Sequence, residues 1–141
     1  IGKVYVFRLT LLKALAYRIG RFMHIMINRI YDDTLLQVGY RVLVDRLWPR
    51  GISKEHAHLD SHWKELTPSN ELRKWFNHET PKWKVFKEKY LEELNNKKEI
   101  AQAHLKEVSQ ERLILLYGAK DKNHTHALIL KEYLQNLKPQ H

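Results

Sequence analysis

The sequence of 141 residues contains no cysteine, and this absence removes several classes of function at once. A chain without thiols cannot carry a disulfide framework, a cysteine-ligated zinc, an iron–sulfur cluster or a cysteine nucleophile. Such a chain fits a reducing compartment, so we expect a cytoplasmic protein. Glycine and proline are also scarce, at five and four residues. The content of 43% hydrophobic and 29% charged residues is that of an ordinary globular domain.

Acidic residues are missing from the first 22 positions, which carry five basic side chains and many apolar ones. The basic residues interrupt the apolar stretch too often for a membrane span. One interpretation is a targeting peptide or a basic amphipathic surface helix. The interpretation we favour is an extension from an expression vector or an upstream start, with Met23 or Met26 as the natural first residue. We therefore treat 1–22 as an extension and 23–141 as a single α/β domain.

The net charge of +9 invites a nucleic-acid-binding interpretation, but its distribution weakens that interpretation. More than half of the excess comes from residues 1–22. The remaining 119 residues hold 20 basic and 16 acidic side chains, which is unremarkable for a single domain. Nucleic-acid binding is therefore an alternative and not the leading hypothesis.

Three stretches rich in apolar residues predict the strands of a sheet, namely His24–Tyr31, Tyr40–Trp48 and Arg112–Tyr117. Within the last two, apolar residues follow one another without alternation, which is typical of strands buried on both faces. Long helical stretches separate the strands, so the connections cross over and the strands run mainly parallel. We predict an α/β fold with a small, mainly parallel three- to four-stranded sheet flanked by helices.

Helix signals fill the regions between and after these strands. Ser53–Ala57 predicts a short helix, and Thr67-Pro68 predicts an N-cap and a first-turn proline for a helix over Glu71–Asn77. Thr80-Pro81 repeats that signal before a longer helix. The apolar stripe of that helix consists of Trp83, Phe86, Tyr90 and Leu94. The stripe of a last helix, which ends near Pro139, consists of Ala127, Leu130, Leu134 and Leu137. Helical spacing favours core packing of these aromatic residues over a stacking platform for nucleic acid.

Polar residues crowd the ends of two predicted strands, at Asp45–Gly51 (DRLWPRG) and at Gly118–His126 (GAKDKNHTH). Because ligands of open α/β sheets gather at the carboxyl ends of strands, we expect one site built from both segments. Arg46 and Arg50 suit bidentate binding of a carboxylate or phosphate. Trp48 can stack on a planar ligand or on an arginine.

Asp45 stands at the end of a buried strand, where a carboxylate needs a partner. One interpretation makes it a catalytic base or a group that orients a basic neighbour. The other makes it half of a structural salt bridge with Arg46, Arg50 or Lys120 that holds the two loops together. Both interpretations stay open.

The second segment carries Lys120, Asp121, His124 and His126. His124 can act as an acid or a base near neutral pH, and Lys120 and His126 can bind an anionic ligand. The alternative is that one imidazole caps or packs against the start of the following helix. A metal site formed by His124, His126 and Asp45 is a weaker alternative, because nothing in the spacing requires it.

Three further histidines, His56, His58 and His62, lie in EHAHLDSHW. The spacing of the last two matches the metalloprotease motif, but Leu59 occupies the position of the required glutamate. We interpret these three histidines as surface residues.

Four segments carry a resemblance to a known family, namely NRIYDD, GYRVLVDRLWPRGISKE, LTPSNELRKWFNH and LLYGAKDKNHTHALILKEYL. In this order, over about residues 26–137, they resemble the YeaO-like family of uncharacterised bacterial proteins, the domain-of-unknown-function 488 group. The resemblance implies a small cytosolic α/β protein without an established activity. Tyr117 and Thr125 stand where longer relatives have cysteines, so thiol chemistry does not carry over. The residues that match the short form of the family are Asp45, Arg46, Trp48, Pro49, Arg50, Gly51, Lys120, Asp121, His124 and His126.

The leading hypothesis is therefore an enzyme or binding protein with a pocket for a small anionic ligand, because basic residues outnumber the acid in it. The candidate catalytic residues are Asp45 and His124. The candidate ligand-binding residues are Arg46, Trp48, Arg50, Lys120 and His126. The alternatives are a nucleic-acid-binding module and a structural or interaction protein. The residues specify neither a cofactor nor an oligomeric state.

Overall fold

Four strands form one sheet in a computed structural model that describes residues 23–33 and 38–137. They are β1 (His24–Arg29), β2 (Tyr40–Leu43), β3 (Ser61–His62) and β4 (Arg112–Tyr117), in the order β1-β4-β2-β3. Every neighbouring pair is parallel, which confirms the predicted α/β fold. The prediction for residues 1–22 lies outside the described residues, whereas the last helix ends at Asn136, near Pro139 as predicted.

The central strand β4 has the predicted bounds and is buried on both faces. Its side chains alternate between two hydrophobic clusters, because successive residues of a strand point to opposite sides. Leu113 and Leu115 belong to the larger cluster, which the longer helices cover. Ile114 and Leu116 belong to a smaller cluster on the other face.

The strand predicted over Tyr40–Trp48 is shorter than expected, because it ends at Leu43. The amide of Val44 still donates to the Leu116 carbonyl, and the chain then leaves the sheet. A two-residue edge strand, Ser61–His62, pairs with β2 and was not predicted. The sequence carries no strand signal there, because both residues are polar.

In the part of the chain that the structure describes, five α-helices connect and follow the strands. They are α1 (Lys54–Ala57), α2 (Asn70–Phe76), α3 (Trp83–Asn95), α4 (Lys98–Glu107) and α5 (His126–Asn136). Single 3-10 turns lie at Ile30–Asp32, Lys64–Leu66 and Thr80–Lys82. Within the described ranges, no helix has both the length and the apolar character needed to cross a membrane.

The start of α2 differs from the prediction, because its N-cap is Ser69 and not Thr67. The Ser69 hydroxyl accepts a hydrogen bond from the Leu72 amide. Thr67 is buried and donates its hydroxyl to the Lys64 carbonyl, so it closes the preceding 3-10 turn. The threonine–proline pair therefore marks the turn before the helix.

The aromatic stripe of α3 packs in the core, as the helical spacing predicts. Phe86, Tyr90 and Leu94 are buried, while Trp83 is half-buried at the edge of the cluster. The Tyr90 hydroxyl donates to the Leu66 carbonyl at 2.5 Å, so this buried polar group is satisfied. A fully buried aromatic side chain of this kind contributes roughly 1.5–3 kcal/mol through the removal of apolar area from water.

Candidate functional site

A cavity of about 550 Å³ opens where the loops that follow β2 and β4 meet the end of α2. This volume is in the range of small-molecule sites. Five of the seven predicted site residues line it, and these are Asp45, Arg46, Trp48, His124 and His126. The two segments that were predicted to form one site therefore share one cavity, at the carboxyl ends of parallel strands.

The two remaining predicted residues, Arg50 and Lys120, lie outside this lining. Arg50 is exposed, and its backbone carbonyl accepts a hydrogen bond from the Tyr31 hydroxyl at 2.8 Å. Lys120 lines a second cavity of about 390 Å³. Several residues line both cavities, so the two are neighbours.

Asp45 joins the ends of two neighbouring strands through its carboxylate. Oδ2 accepts a hydrogen bond from the Gly118 amide at 2.8 Å, and Oδ1 lies 3.3 Å from Nε2 of His126. Oδ1 is shielded from solvent and accepts no hydrogen bond within the described part of the chain. The alternative salt bridge from Asp45 to Arg46, Arg50 or Lys120 is therefore not formed, and the neighbours of the carboxylate are a backbone amide and an imidazole.

The close approach of the two strand ends is favoured by the glycine at position 118. A Cβ atom there would lie 3.1 Å from Oδ2 of Asp45 and 3.6 Å from the ring of Tyr31. The first distance is tighter than ordinary packing allows. Gly118 thus permits the carboxylate to reach the backbone amide.

His126 is the first residue of α5, where its imidazole packs against the end of β2. Nε2 carries a proton, because it donates to the Val44 carbonyl at 2.8 Å and a carbonyl can only accept. The ring also lies edge-on to the buried ring of Tyr90, with 6.2 Å between centroids. The alternative in which one imidazole packs at the helix start therefore describes His126, and Thr125 is the N-cap itself.

His124 is oriented by a carboxylate of its own loop. Its Nδ1 donates to Oδ2 of Asp121 at 2.8 Å, and Oδ1 of Asp121 accepts from the amides of Asn123 and His124. The hydrogen bond from His124 is the largest cause of a lowered pKa at Asp121. Because Nδ1 holds the proton, Nε2 carries the lone pair in the neutral ring. The ring of Trp83 stands nearly perpendicular to it, with 5.3 Å between centroids.

Cations of the cavity come from two sides. Arg46 follows β2, and its Nε donates to the Thr67 hydroxyl at 3.3 Å. Arg73 and Lys74 lie in the last turn of α2, and Arg73 donates to the side-chain oxygen of Asn70 at 3.4 Å. Within the described ranges, no carboxylate forms an ion pair with these three cations.

Helix α2 is held in place beside the strand ends by α3. Both the amide and the hydroxyl of its N-cap, Ser69, donate to the carboxylate of Glu93, at 2.9 and 2.6 Å. The helix ends in two consecutive left-handed residues, Asn77 (φ 46°) and His78 (φ 55°), and both line the cavity. Non-glycine residues in this conformation are uncommon and cluster at functional sites.

Trp48 forms part of the cavity rim and is 40% exposed. Its Nε1 donates to the Ile52 carbonyl at 2.6 Å, which folds the loop back on itself. His62 lies edge-on to this ring and donates from Nε2 to the Asp45 carbonyl at 2.6 Å. His62 is therefore half-buried, contrary to prediction, whereas His56 and His58 are exposed as expected.

Sequence reasoning did not assign a role to Arg73 and Lys74, and it could not place His78. The available signal was a pair of cations in the last turn of a short helix. That pattern equally suits compensation of the helix dipole, so it does not identify a site. Among the described residues, no three side chains of His, Cys, Asp or Glu lie close enough to hold a metal ion. The alternative metal site of Asp45, His124 and His126 is therefore not formed.

Comparisons with known proteins agree with the family resemblance. The sequence profile described as "Inactive DUF488-N3 subclade" matches residues 24–140. The uncharacterized protein YeaO of Escherichia coli (strain K12) is 44% identical over 115 residues, which is 82% of this chain and all of that protein. The uncharacterized protein Rv3073c of Mycobacterium tuberculosis (strain ATCC 25618 / H37Rv) is 37% identical over 78 residues, 55% of this chain and 66% of its own length. No solved structure matches the chain.

Proposed function

The chain belongs to the YeaO-like DUF488 family, in the subclade described as inactive, and on that premise we propose that it binds a small anionic ligand without transforming it. The observation that carries the proposal is that, among the described residues, the cations of the cavity have no charged partner, whereas its carboxylate interacts with other parts of the protein. The cations Arg46, Arg73 and Lys74 have only neutral partners or none within the described chain. The carboxylate of Asp45 already interacts with Gly118 and His126.

In this proposal Arg46 and Arg73 bind the anion, and the loop after β2 and helix α2 hold these two side chains at the cavity. Guanidinium groups bind carboxylate and phosphate groups with paired hydrogen bonds, and neither arginine uses all its N–H groups in the protein. Trp48 supplies a wall of the pocket, and the rings of His124 and His126 line it, while their N–H groups donate to Asp121 and to the Val44 carbonyl. Asp45 acts through its neighbours, because it fixes the imidazole of His126 and the turn at Gly118.

The test is calorimetric titration of the full chain with inorganic phosphate and with acetate, at about 0.15 M salt so that distant charges are screened. Arg46→Ala and Arg73→Ala should each weaken the preferred anion at least about tenfold, which corresponds to ~1.4 kcal/mol. Arg112→Ala is the matched control, because Arg112 is an exposed arginine at the opposite end of β4. Equal losses in all three variants would mean a diffuse charge effect and would contradict a built site.

Catalysis is the second candidate, and the contact between Asp121 and His124 favours it. A carboxylate that holds Nδ1–H of a histidine leaves Nε2 as a base, the arrangement found in hydrolytic sites. His124 lines the cavity, so it is the better acid–base candidate, while Oδ2 of Asp45 accepts from the Gly118 amide and Oδ1 is shielded from solvent. The description of the subclade as inactive weighs against this candidate.

The remaining predictions stay proposals. A nucleic-acid-binding role is disfavoured because Phe76, Phe86 and Tyr90 are buried and cannot stack on bases. Filter binding to generic DNA and RNA over a range of salt concentrations tests that role. We also propose a cytoplasmic location, as the family resemblance implies, and cell fractionation tests it.

A further inference from the structure

A second cavity, of about 390 Å³, lies beside the first at the end of β4. Both cavities are lined by Phe76, His78, Gly118, Ala119 and His124, so one wall serves both. Together they are far larger than a single inorganic anion requires, since a water molecule occupies only roughly 30 Å³ in the liquid. The site therefore has the shape of two lobes around His124.

The second lobe has its own cation. Lys120 and Asp121 line this lobe and are not among the residues of the first. Both oxygens of Asp121 are engaged inside the loop, by two backbone amides and by Nδ1 of His124. Within the described chain Lys120 forms no ion pair, with Asp121 or with any other carboxylate.

Each lobe thus presents positive charge, and the acidic groups in both are engaged by protein partners. Building on the proposed function, we infer that the site takes an elongated ligand with two separated anionic groups. One group binds Arg46 and Arg73 in the first lobe, and the other binds Lys120 in the second. The middle of the ligand passes His124, whose ring is fixed by Asp121 and Trp83.

The inference predicts a dependence on ligand length. Linking two anions turns the second contact into an intramolecular one, so affinity rises only when the linker spans both anchors. We propose titrating the full chain with methylphosphonate and with linear alkane-α,ω-bisphosphonates of increasing length. One length should bind at least about tenfold more tightly than methylphosphonate, and shorter or longer members should lose that gain.

Two lysine variants of the same loop locate the second anchor. Lys120→Ala should abolish the gain in affinity that the optimal bisphosphonate shows over methylphosphonate. Lys122→Ala is the matched control, because Lys122 pairs with Asp32 at 3.0 Å and lines neither cavity. It removes the same charge from the same loop and should preserve the gain.

The outcomes separate this inference from the proposed function. If methylphosphonate binds and no bisphosphonate binds better, the two-anion ligand is refuted and the anion site stands. If the linker gain survives in Lys120→Ala, the inference also fails, because the second anchor lies elsewhere. If neither class of probe binds, the proposed function itself fails.

Discussion

Replacement of Asp45 gives the sharpest test of how the two loops are joined. In Asp45→Ala, the Gly118 amide loses its acceptor and His126 loses the nearby charge. A hydrogen bond to a charged group contributes roughly 1.5–3 kcal/mol, and a partly exposed ion pair adds at most about 1 kcal/mol. We therefore expect a loss of about 2–3 kcal/mol in the free energy of unfolding. The chain should remain folded, because domains of this size have about 5–15 kcal/mol of stability.

Asp45→Asn separates the hydrogen bond from the charge. The amide oxygen can still accept from Gly118, but the negative charge beside His126 is gone. We expect this variant to lose only about 1 kcal/mol, which is at most half of the loss in Asp45→Ala. Urea unfolding followed by tryptophan fluorescence measures both values, provided that the slope of free energy against urea is unchanged.

Ligand titration of the same variants tests the role of Asp45 in binding. If Asp45 only positions its neighbours, Asp45→Asn removes a negative charge from an anion site and affinity should rise by about two- to fivefold. Asp60→Ala is the control, because Asp60 also accepts a backbone amide hydrogen bond, from Arg41 at 2.8 Å, but lies outside the cavity. It should lose stability without a change in affinity. A tenfold weaker affinity in a fully stable Asp45→Asn would refute the reasoning and make Asp45 a ligand contact.

Three further predictions follow from single contacts. Gly118→Ala should lower the free energy of unfolding by about 1 kcal/mol, because its Cβ crowds Oδ2 of Asp45 at 3.1 Å. In a double-mutant cycle, Gly118→Ala should have a smaller effect when Asp45 is already replaced by alanine. Burial, with smaller contributions from Glu93 and Asp45, raises the pKa of Tyr90 well above its usual value. The unfolded state therefore loses the phenolic proton at a lower pH than the folded state, and the free energy of unfolding falls as pH rises past about 10. Tyr90→Phe should flatten that fall in urea unfolding followed between about pH 9 and 11. Ser69→Ala should lower the free energy of unfolding by about 1–2 kcal/mol, and it should also weaken anion binding because its helix carries Arg73. The matched N-cap variant Ser53→Ala should lower stability without changing anion binding. Urea unfolding and ligand titration measure the two effects.

The sheet was predictable where burial alone decides the structure. In β4 the run of Leu and Ile residues is buried on both faces, and its bounds agree with the prediction. The strand β2 ends early because a tertiary contact interrupts a strand-like sequence. Asp45 turns away to meet Gly118, which lies 73 positions along the chain, and no local pattern reports such a contact.

The site was predictable to the extent that it lies at strand ends. Both loops could be placed together from the parallel topology, since carboxyl ends of parallel strands meet at one edge. The contribution of α2 to the site could not be predicted, because the position of this helix depends on the contact between Ser69 and Glu93, which lie 24 positions apart. Arg73 and His78 belong to the cavity only through that packing.

The partners of Asp45 determine whether the basic residues of this site are paired within the protein. A salt bridge between Asp45 and a loop cation would have neutralised the charge of that cation, and its role would have been to hold the two loops together. That carboxylate instead accepts from the Gly118 amide through Oδ2 and lies 3.3 Å from the imidazole of His126, and Asp121 is satisfied within its own loop. Among the residues that the structure describes, Arg46, Arg73 and Lys120 therefore have no carboxylate partner, and they lie around two neighbouring cavities. Cations without carboxylate partners at a built cavity are the observation that supports our proposal of an anionic ligand.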